Sequence, residues 1–237
     1  MKKFAILGLA LAGGMLFAAG CGGGSSSSSS KTVQLRMVNA NPYVVPSSYD
    51  YLVAGTAFST GLPFPSSSAY ATVASGTSTI EVRNNGVPND IISQSVTLTG
   101  GDNYSFMTVG TSSQTPSGVL FTDNNTAPTS GDVAVRVINA CDAVGPMDVY
   151  INPAGTNLFS VTANVSNLAF GAGSGYQSIA AGSIEIRLQV PGDKSATGNR
   201  LDFTSTLAAG GVITLVASDV VAGFSPCSYQ QLTDLSS

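Results

Sequence analysis

Arginine and aspartate recur together along this chain. Arg36 and Asp50 are followed about a hundred residues later by Arg136 and Asp148. A guanidinium facing a carboxylate can hold a charged ligand, or it can tie two neighbouring strands together. Such a cross-strand pair contributes about 0.2–1 kcal/mol and fixes register, and we read both pairs as structural charge pairs of this kind. Glu81 with Arg83 and Glu185 with Arg187 are spaced two apart, which in an extended segment puts both on one polar face. That face is expected to be solvated and to discourage edge-to-edge pairing. Three neighbouring tyrosines, Tyr43, Tyr49 and Tyr51, could make a sugar platform, but the chain has no tryptophan, the residue with the largest stacking face. Tyr70 and Tyr176 each precede a turn, and a buried hydroxyl bonded to backbone is the simpler reading.

The absence of histidine from all 237 residues weighs most against catalysis. It removes the usual general base, the Ser-His and Cys-His dyads and most transition-metal sites. Ser28-Ser29-Ser30-Lys31 fits the Ser-x-x-Lys spelling by letters only, and Lys194 is the one lysine beyond it. No Gly-x-Ser-x-Gly elbow is present, and the thirteen acids are scattered without marking a glycosidase-like pair. Asp123-Asn124-Asn125 could touch calcium, but more simply turns the chain between domains. No catalytic residue, cofactor or metal ligand is assigned, and the chain is expected not to be an enzyme.

The first thirty residues carry an export pattern. Lys2 and Lys3 precede an apolar run from Phe4 to Phe17, too short to span a bilayer stably, and Ala18-Ala19-Gly20 leads into Cys21. Small residues directly before a cysteine resemble the lipobox of bacterial lipoproteins, with Ala18 where that family normally has leucine. The resemblance implies a signal peptide over residues 1–20 and lipid on Cys21. Gly22 stands where aspartate marks inner-membrane retention, which implies the outer membrane in a diderm cell, at its periplasmic or surface face. Residues 21–31, Gly- and Ser-rich, read as a tether. With Cys21 lipidated, Cys141 and Cys227 remain, and two spare cysteines in an exported chain suggest a disulfide, two free thiols being the alternative.

Charge sets the partner class. The formal net charge is −4, and the leader holds two of the nine basic residues and no acid. Without a basic cluster, nucleic acid and anionic headgroups are poor partners. The membrane is expected to be met through lipid alone.

The body repeats. Leu35 to Ala40 matches Val135 to Ala140, Tyr49-Asp50-Tyr51 matches Met147-Asp148-Val149, and Tyr70 matches Tyr176. Ile80 to Arg83 matches Ile184 to Arg187, Gly100-Gly101 matches Gly210-Gly211, and Phe121-Thr122-Asp123 echoes Leu232-Thr233-Asp234. Two domain-sized copies follow, over residues 32–126 and 132–237, with 127–131 as linker. Val33, Leu35 and Met37 alternate with polar residues, as do Val133, Val135 and Val137, which is the period of a half-buried strand. Tyr104 to Val109 and Val212 to Ala217 are apolar on both faces and should be central strands. The class is all-β: two tandem antiparallel sandwiches, Ig-like in outline.

The motif Arg-x-Val/Ile-Asn-Ala, then Asp-Val-Tyr, then Tyr with a Gly-Ser/Thr turn, behind a lipobox, resembles the bacterial domain-of-unknown-function family 4397. Residues 32–237 carry that resemblance, with Tyr49-Asp50-Tyr51-Leu52 departing at the second element. It implies a sandwich fold and an exported setting, and no activity. The expected role is a structural or protein-interaction module of the cell envelope, contacting another envelope or extracellular protein. A carbohydrate- or small-ligand-binding lipoprotein comes second, and a hydrolase is the remote alternative.

Overall fold

The structure is a computed structural model that describes residues 31–43, 48–111, 116–220 and 227–235. Cys21 and the rest of the leader and tether, Lys31 apart, lie outside those residues.

Strands dominate. The first unit contains β1 (Thr32–Asn39), β2 (Ser48–Val53), β3 (Thr56–Pro63), β4 (Ser66–Ser67), β5 (Ala71–Ala74), β6 (Gly76–Asn84), β7 (Asp90–Leu98), β8 (Asn103–Gly110) and β9 (Pro116–Asp123). The second contains β10 (Asp132–Ala140), β11 (Met147–Pro153), β12 (Val165–Leu168), β13 (Gln177–Ala180), β14 (Gly182–Gln189), β15 (Asn199–Leu207), β16 (Val212–Asp219) and β17 (Cys227–Leu235). In each unit two sheets face one another. The first unit has the order β4-β1-β8-β9, with β5 also on β1, opposite β3-β2-β6-β7. The second has β13-β10-β16-β17 opposite β12-β11-β14-β15.

The sandwich class read from residue alternation therefore holds, with one refinement. β1 pairs β8 in parallel, and β10 pairs β16 in parallel, while the other ladders are antiparallel. Alternation gives the face of a strand but not the direction of its neighbour.

That alternation also explains the cores. Val33, Leu35 and Met37 of β1 point inward onto Tyr49, Tyr51, Ile80, Val82 and Phe106. Val133, Val135 and Val137 of β10 do the same onto Val149, Ile151, Ile184, Ile186 and Leu215. The opposite faces of β1, β8, β10 and β16 are apolar too. Val38, Ala40, Met107 and Val109 meet Ile138, Ala140, Val216 and Leu232 in a third buried cluster between the units. This accounts for the doubly apolar β8 and β16, whose residues are almost all buried. One face serves the unit's own core and the other serves the neighbouring unit.

Gly118 on β9 shows how closely the first core is filled. A β-carbon there would land on Phe106 Cζ, and Phe106 is wholly buried. Gly118→Ala is expected to cost about 1–3 kcal/mol through overpacking, read as a lowered midpoint in chemical denaturation with unchanged slope.

Candidate functional site

The recurring arginines lie where the units meet. Each is carried by the first strand of its unit, at the position between two inward-facing residues, so its side chain points away from its own core. Arg36 Nε donates to Ser105 Oγ at 2.7 Å, Nη1 donates to the Thr233 carbonyl at 3.0 Å, and Nη2 donates to Asp234. Arg136 repeats the pattern. Nε donates to Thr214 Oγ1 at 3.0 Å, Nη1 to the Thr122 carbonyl at 2.9 Å, and Nη2 to Asp123 Oδ1 at 2.5 Å. Each arginine thus reaches the hydroxyl of its own unit and the terminal aspartate of the other. The pairs are crossed.

The carboxylates are held from behind as well. Ser105 and Tyr70 donate to Asp123 Oδ2 at 2.6 and 2.7 Å. Thr214 and Tyr176 donate to Asp234 Oδ2 at 2.6 and 2.7 Å. The Tyr70 ring lies 4.6 Å from Arg36 Cζ and the Tyr176 ring 4.7 Å from Arg136 Cζ. Burial first, with the neighbouring carboxylates adding to it, raises both phenol pKa values, so both hydroxyls remain donors. Arg36, Arg136 and Asp123 are at most 4% exposed and Asp234 is 8% exposed. In so dry a setting, charge-assisted bonds are strong and an unpaired charge is costly.

This arrangement corrects the pairing of Arg36 with Asp50 and of Arg136 with Asp148. β1 and β2 belong to opposite sheets of one sandwich, as do β10 and β11. Arg36 and Asp50 both point outward, hence in opposite directions, with a sheet spacing of about 10 Å between their strands. Asp50 instead accepts the N–H groups of Gly61 and Gly86 at 2.7 and 3.0 Å. Asp148 accepts those of Asn167 and Gly192 at 2.8 and 2.9 Å. Both carboxylates gather loops. Their ladder positions also differ: Asp50 lies opposite Arg83, whereas Tyr150 lies opposite Arg187 and Asp148 opposite Gln189. The two strands correspond at a spacing of 100 residues rather than 98. A shift of two keeps every side chain on its face, which is why the letters matched.

Other expectations are also revised. Tyr49 and Tyr51 form no platform. Both are wholly buried, edge to face at 6.2 Å, and burial pushes the Tyr49 phenol up to about 12. The Tyr70 hydroxyl bonds a carboxylate rather than backbone, whereas the Tyr176 hydroxyl donates to a carboxylate and also accepts the Asn124 backbone N–H at 3.3 Å. Glu81 and Glu185 are not merely solvated, since they accept the Gly55 and Gly155 N–H groups at 3.3 and 3.1 Å. Arg83 pairs with Asp90 at 2.5 Å, and Arg187 pairs with Glu185 and with Asp202. Asp123 is saturated by arginine, serine and tyrosine donors, and Asn124 accepts the Thr126 N–H at 2.9 Å, a turn rather than a calcium loop. Among the described residues, no three His, Cys, Asp or Glu side chains converge as metal ligands would.

Cys141 and Cys227 are bonded, across 86 residues of sequence. Both sit in the second core. Beside them Asp219 accepts the N–H groups of Asp142 and Ala143 at 3.0 and 3.1 Å, and the Tyr43 hydroxyl of the first unit at 3.1 Å. Burial raises the Asp219 carboxyl above the ordinary carboxylate range, partly offset by those donors.

Three cavities open away from the inter-unit face. One of about 530 Å³ runs between the edges of β3 and β5. One of about 240 Å³ lies on the outer face of β2 and β6, beside Arg83, Val87 and Pro88. A third, of about 360 Å³, occupies the same outer face of the second unit, beside Phe159, Arg187 and Lys194. Aspartates 123 and 234 were within reach of sequence reasoning, because the Thr-Asp echo that ends each copy marks them. Phe159 and Gln189 had no such mark.

No curated protein matches this chain. A solved structure titled "Alpha-glucan binding by a streptococcal virulence factor" aligns over 78% of this chain and 93% of its own, at 14% identity and a TM-score of 0.27, too low to carry an argument. Residues 33–150, a stretch that holds both Arg36 and Arg136 and the whole Arg136–Asp123 pair, match the family described as Domain of unknown function (DUF4397), and that match supports placing the chain in this family.

Proposed function

We propose that this chain is a lipid-anchored envelope lipoprotein whose duplicated sandwiches act without catalysis, as one rigid structural or protein-interaction module. The crossed clasp carries the reading. Charged residues that recur in both units are spent on joining those units, in a buried network with every partner supplied by the chain itself. Two sandwiches held this way present their outer sheets in a fixed relation. That is useful to a body that must display surfaces at a distance from a membrane. The Gly/Ser tether supplies the distance, and lipid on Cys21 supplies the attachment, at about 0.8 kcal/mol per buried methylene.

The test is labelling with radioactive palmitate in a bacterial host that processes lipoproteins. The wild-type chain is expected to take up label and sediment with membranes, and Cys21→Ala to do neither. Photo-crosslinkers placed on the outer sheets should then trap a partner protein in intact cells, and one at Met107 between the units should not. An unlabelled wild-type chain would remove the anchor from this reading. Crosslinking from Met107 alone would remove the rigid module.

A further inference from the structure

The two units differ most in the loops around one outer face. The spacing between matched landmarks grows from 100 residues at Arg36 and Arg136 to 106 at Tyr70 and Tyr176. It grows again from 104 at Ile80 and Ile184 to 110 at Gly100 and Gly210. In the first unit β2 and β3 are joined by only residues 54–55, and β6 and β7 by 85–89, whereas in the second unit residues 154–164 join β11 to β12 and 190–198 join β14 to β15. These two lengthened loops wall the 360 Å³ cavity, with the outer face of β14 and β15 as its floor. Rigid sheets carrying elaborated loops are where binding sites are commonly found.

The lining has a definite chemistry. Phe159 is 72% exposed, the most exposed large apolar side chain described, and its turn is braced by local hydrogen bonds. Asn157 Oδ1 accepts the Phe159 N–H at 3.0 Å and the Ser160 hydroxyl bonds the Asn157 carbonyl at 2.7 Å. An aromatic face is therefore presented at the rim. The floor is polar but balanced in charge. Arg187 lies between Glu185 and Asp202, and its Nη1 donates to the Thr156 carbonyl at 2.9 Å. Lys194 Nζ donates to the Val161 carbonyl at 2.5 Å.

Gln189 is the unexplained member. It is 2% exposed, and its Oε1 has no hydrogen-bond partner. Its Nε2 reaches Asn199 Oδ1 only at 3.5 Å. Turning the amide over exchanges donor for acceptor but leaves one end unmatched either way. Gln189 lines the cavity, and its buried, unpartnered amide end carries a cost that an incoming donor or acceptor can offset once the side chain turns toward it.

We propose that this cavity binds a neutral, hydroxyl-rich ring, of the pyranose class, with Phe159 as the stacking face and Gln189 and Asn199 as the polar readers. An anionic ligand is disfavoured because Arg187 already serves two carboxylates. A purely apolar ligand would leave Gln189 unmatched. The volume falls within the range of small-ligand sites. The first unit's corresponding face is smaller and lined by Val87 and Pro88, and it does not take the ligand.

Saturation-transfer NMR on the full-length protein in a sugar-free detergent tests this, with maltotriose, cellotriose and chitotriose as neutral probes and gluconate as the charged one. At least one trisaccharide is expected to show transfer with millimolar affinity. Phe159→Ala should weaken it ten-fold or more and Phe159→Trp should keep it. Gln189→Ala should weaken it with circular dichroism unchanged; if that variant unfolds, Asn199→Ala serves for the same loss. Arg83→Ala in the first unit should leave binding as it was. Silence from all three trisaccharides at 10 mM, stronger binding of gluconate, or unchanged affinity in Phe159→Ala would each overturn the assignment. None of these outcomes touches the anchor or the rigid module.

Discussion

Arg136→Ala is expected to destabilise the protein by about 3–5 kcal/mol, although it removes no part of either sandwich core. The substitution strips the Asp123 carboxylate of its close charge partner and leaves only Arg36, 3.8 Å away, beside a group that stays buried; breaking one half of a buried ion pair costs about that much. Arg36→Ala should do the same through Asp234. By contrast Arg83→Ala, which breaks a pair whose side chains are 29% and 36% exposed, should cost no more than about 1 kcal/mol. For a body of this size a loss of 3–5 kcal/mol lowers the melting temperature by about 10 °C. The shape of the transition is as informative as its midpoint. With the clasp intact the two units should melt together. With it broken, the third hydrophobic cluster is the main remaining bond between them, and calorimetry should resolve two steps. A loss below about 1 kcal/mol with one unchanged transition would mean that the apolar face alone fixes the units. The pair need not be more stabilising than an apolar replacement of similar shape. What it adds is direction, because only one relative placement of the sheets lets both arginines find both aspartates.

Much of this was legible in the residues. Period-two alternation in Val33-Leu35-Met37 and Val133-Val135-Val137 gave the strands and their inward faces, because burial on one side of a pleat leaves that trace directly. The run from Tyr104 to Val109 announced a strand covered on both sides, yet not that the second cover was another unit. The charge pairing was misassigned for a related reason. Alternation says that Arg36 and Asp50 both face outward, but sheet membership decides which outward direction each takes. That membership is set by long-range pairing, β1 with β8 across some seventy residues, which local pattern does not encode. The crossed partners could have been found by asking what else recurs at strand ends, since Asp123 and Asp234 close matching Thr-Asp echoes. The cavity beside Phe159 was invisible in a different way. It arises where the copies differ, and a search for what they share passes over it.

Removing the disulfide by Cys141→Ala with Cys227→Ala is expected to cost about 4–5 kcal/mol. Its 86-residue separation sets that scale through the closure entropy it withholds from the unfolded chain, and two buried side chains are shortened besides. The first unit has no such link; Asn41, two residues past β1, stands at the place that Cys141 takes directly after β10, and bonds the Tyr49 hydroxyl at 2.7 Å. The loss should therefore fall on the second unit, seen as an earlier step in calorimetry or as faster amide exchange in β16 and β17. It should also reach the clasp. Cys227 begins β17, and Asp234, the acceptor of Arg36, lies near the end of the same strand. Freeing one end of that strand loosens the carboxylate at the other. Arg36→Ala should accordingly cost less in the disulfide-free protein than in the native one, a non-additivity expected of sites that share a structural element. Equal costs in the two backgrounds would show that the ladder to β16 holds Asp234 in place unaided. Then bridge and clasp would be separate devices: one tying β17 to its own sandwich, the other tying the sandwiches together.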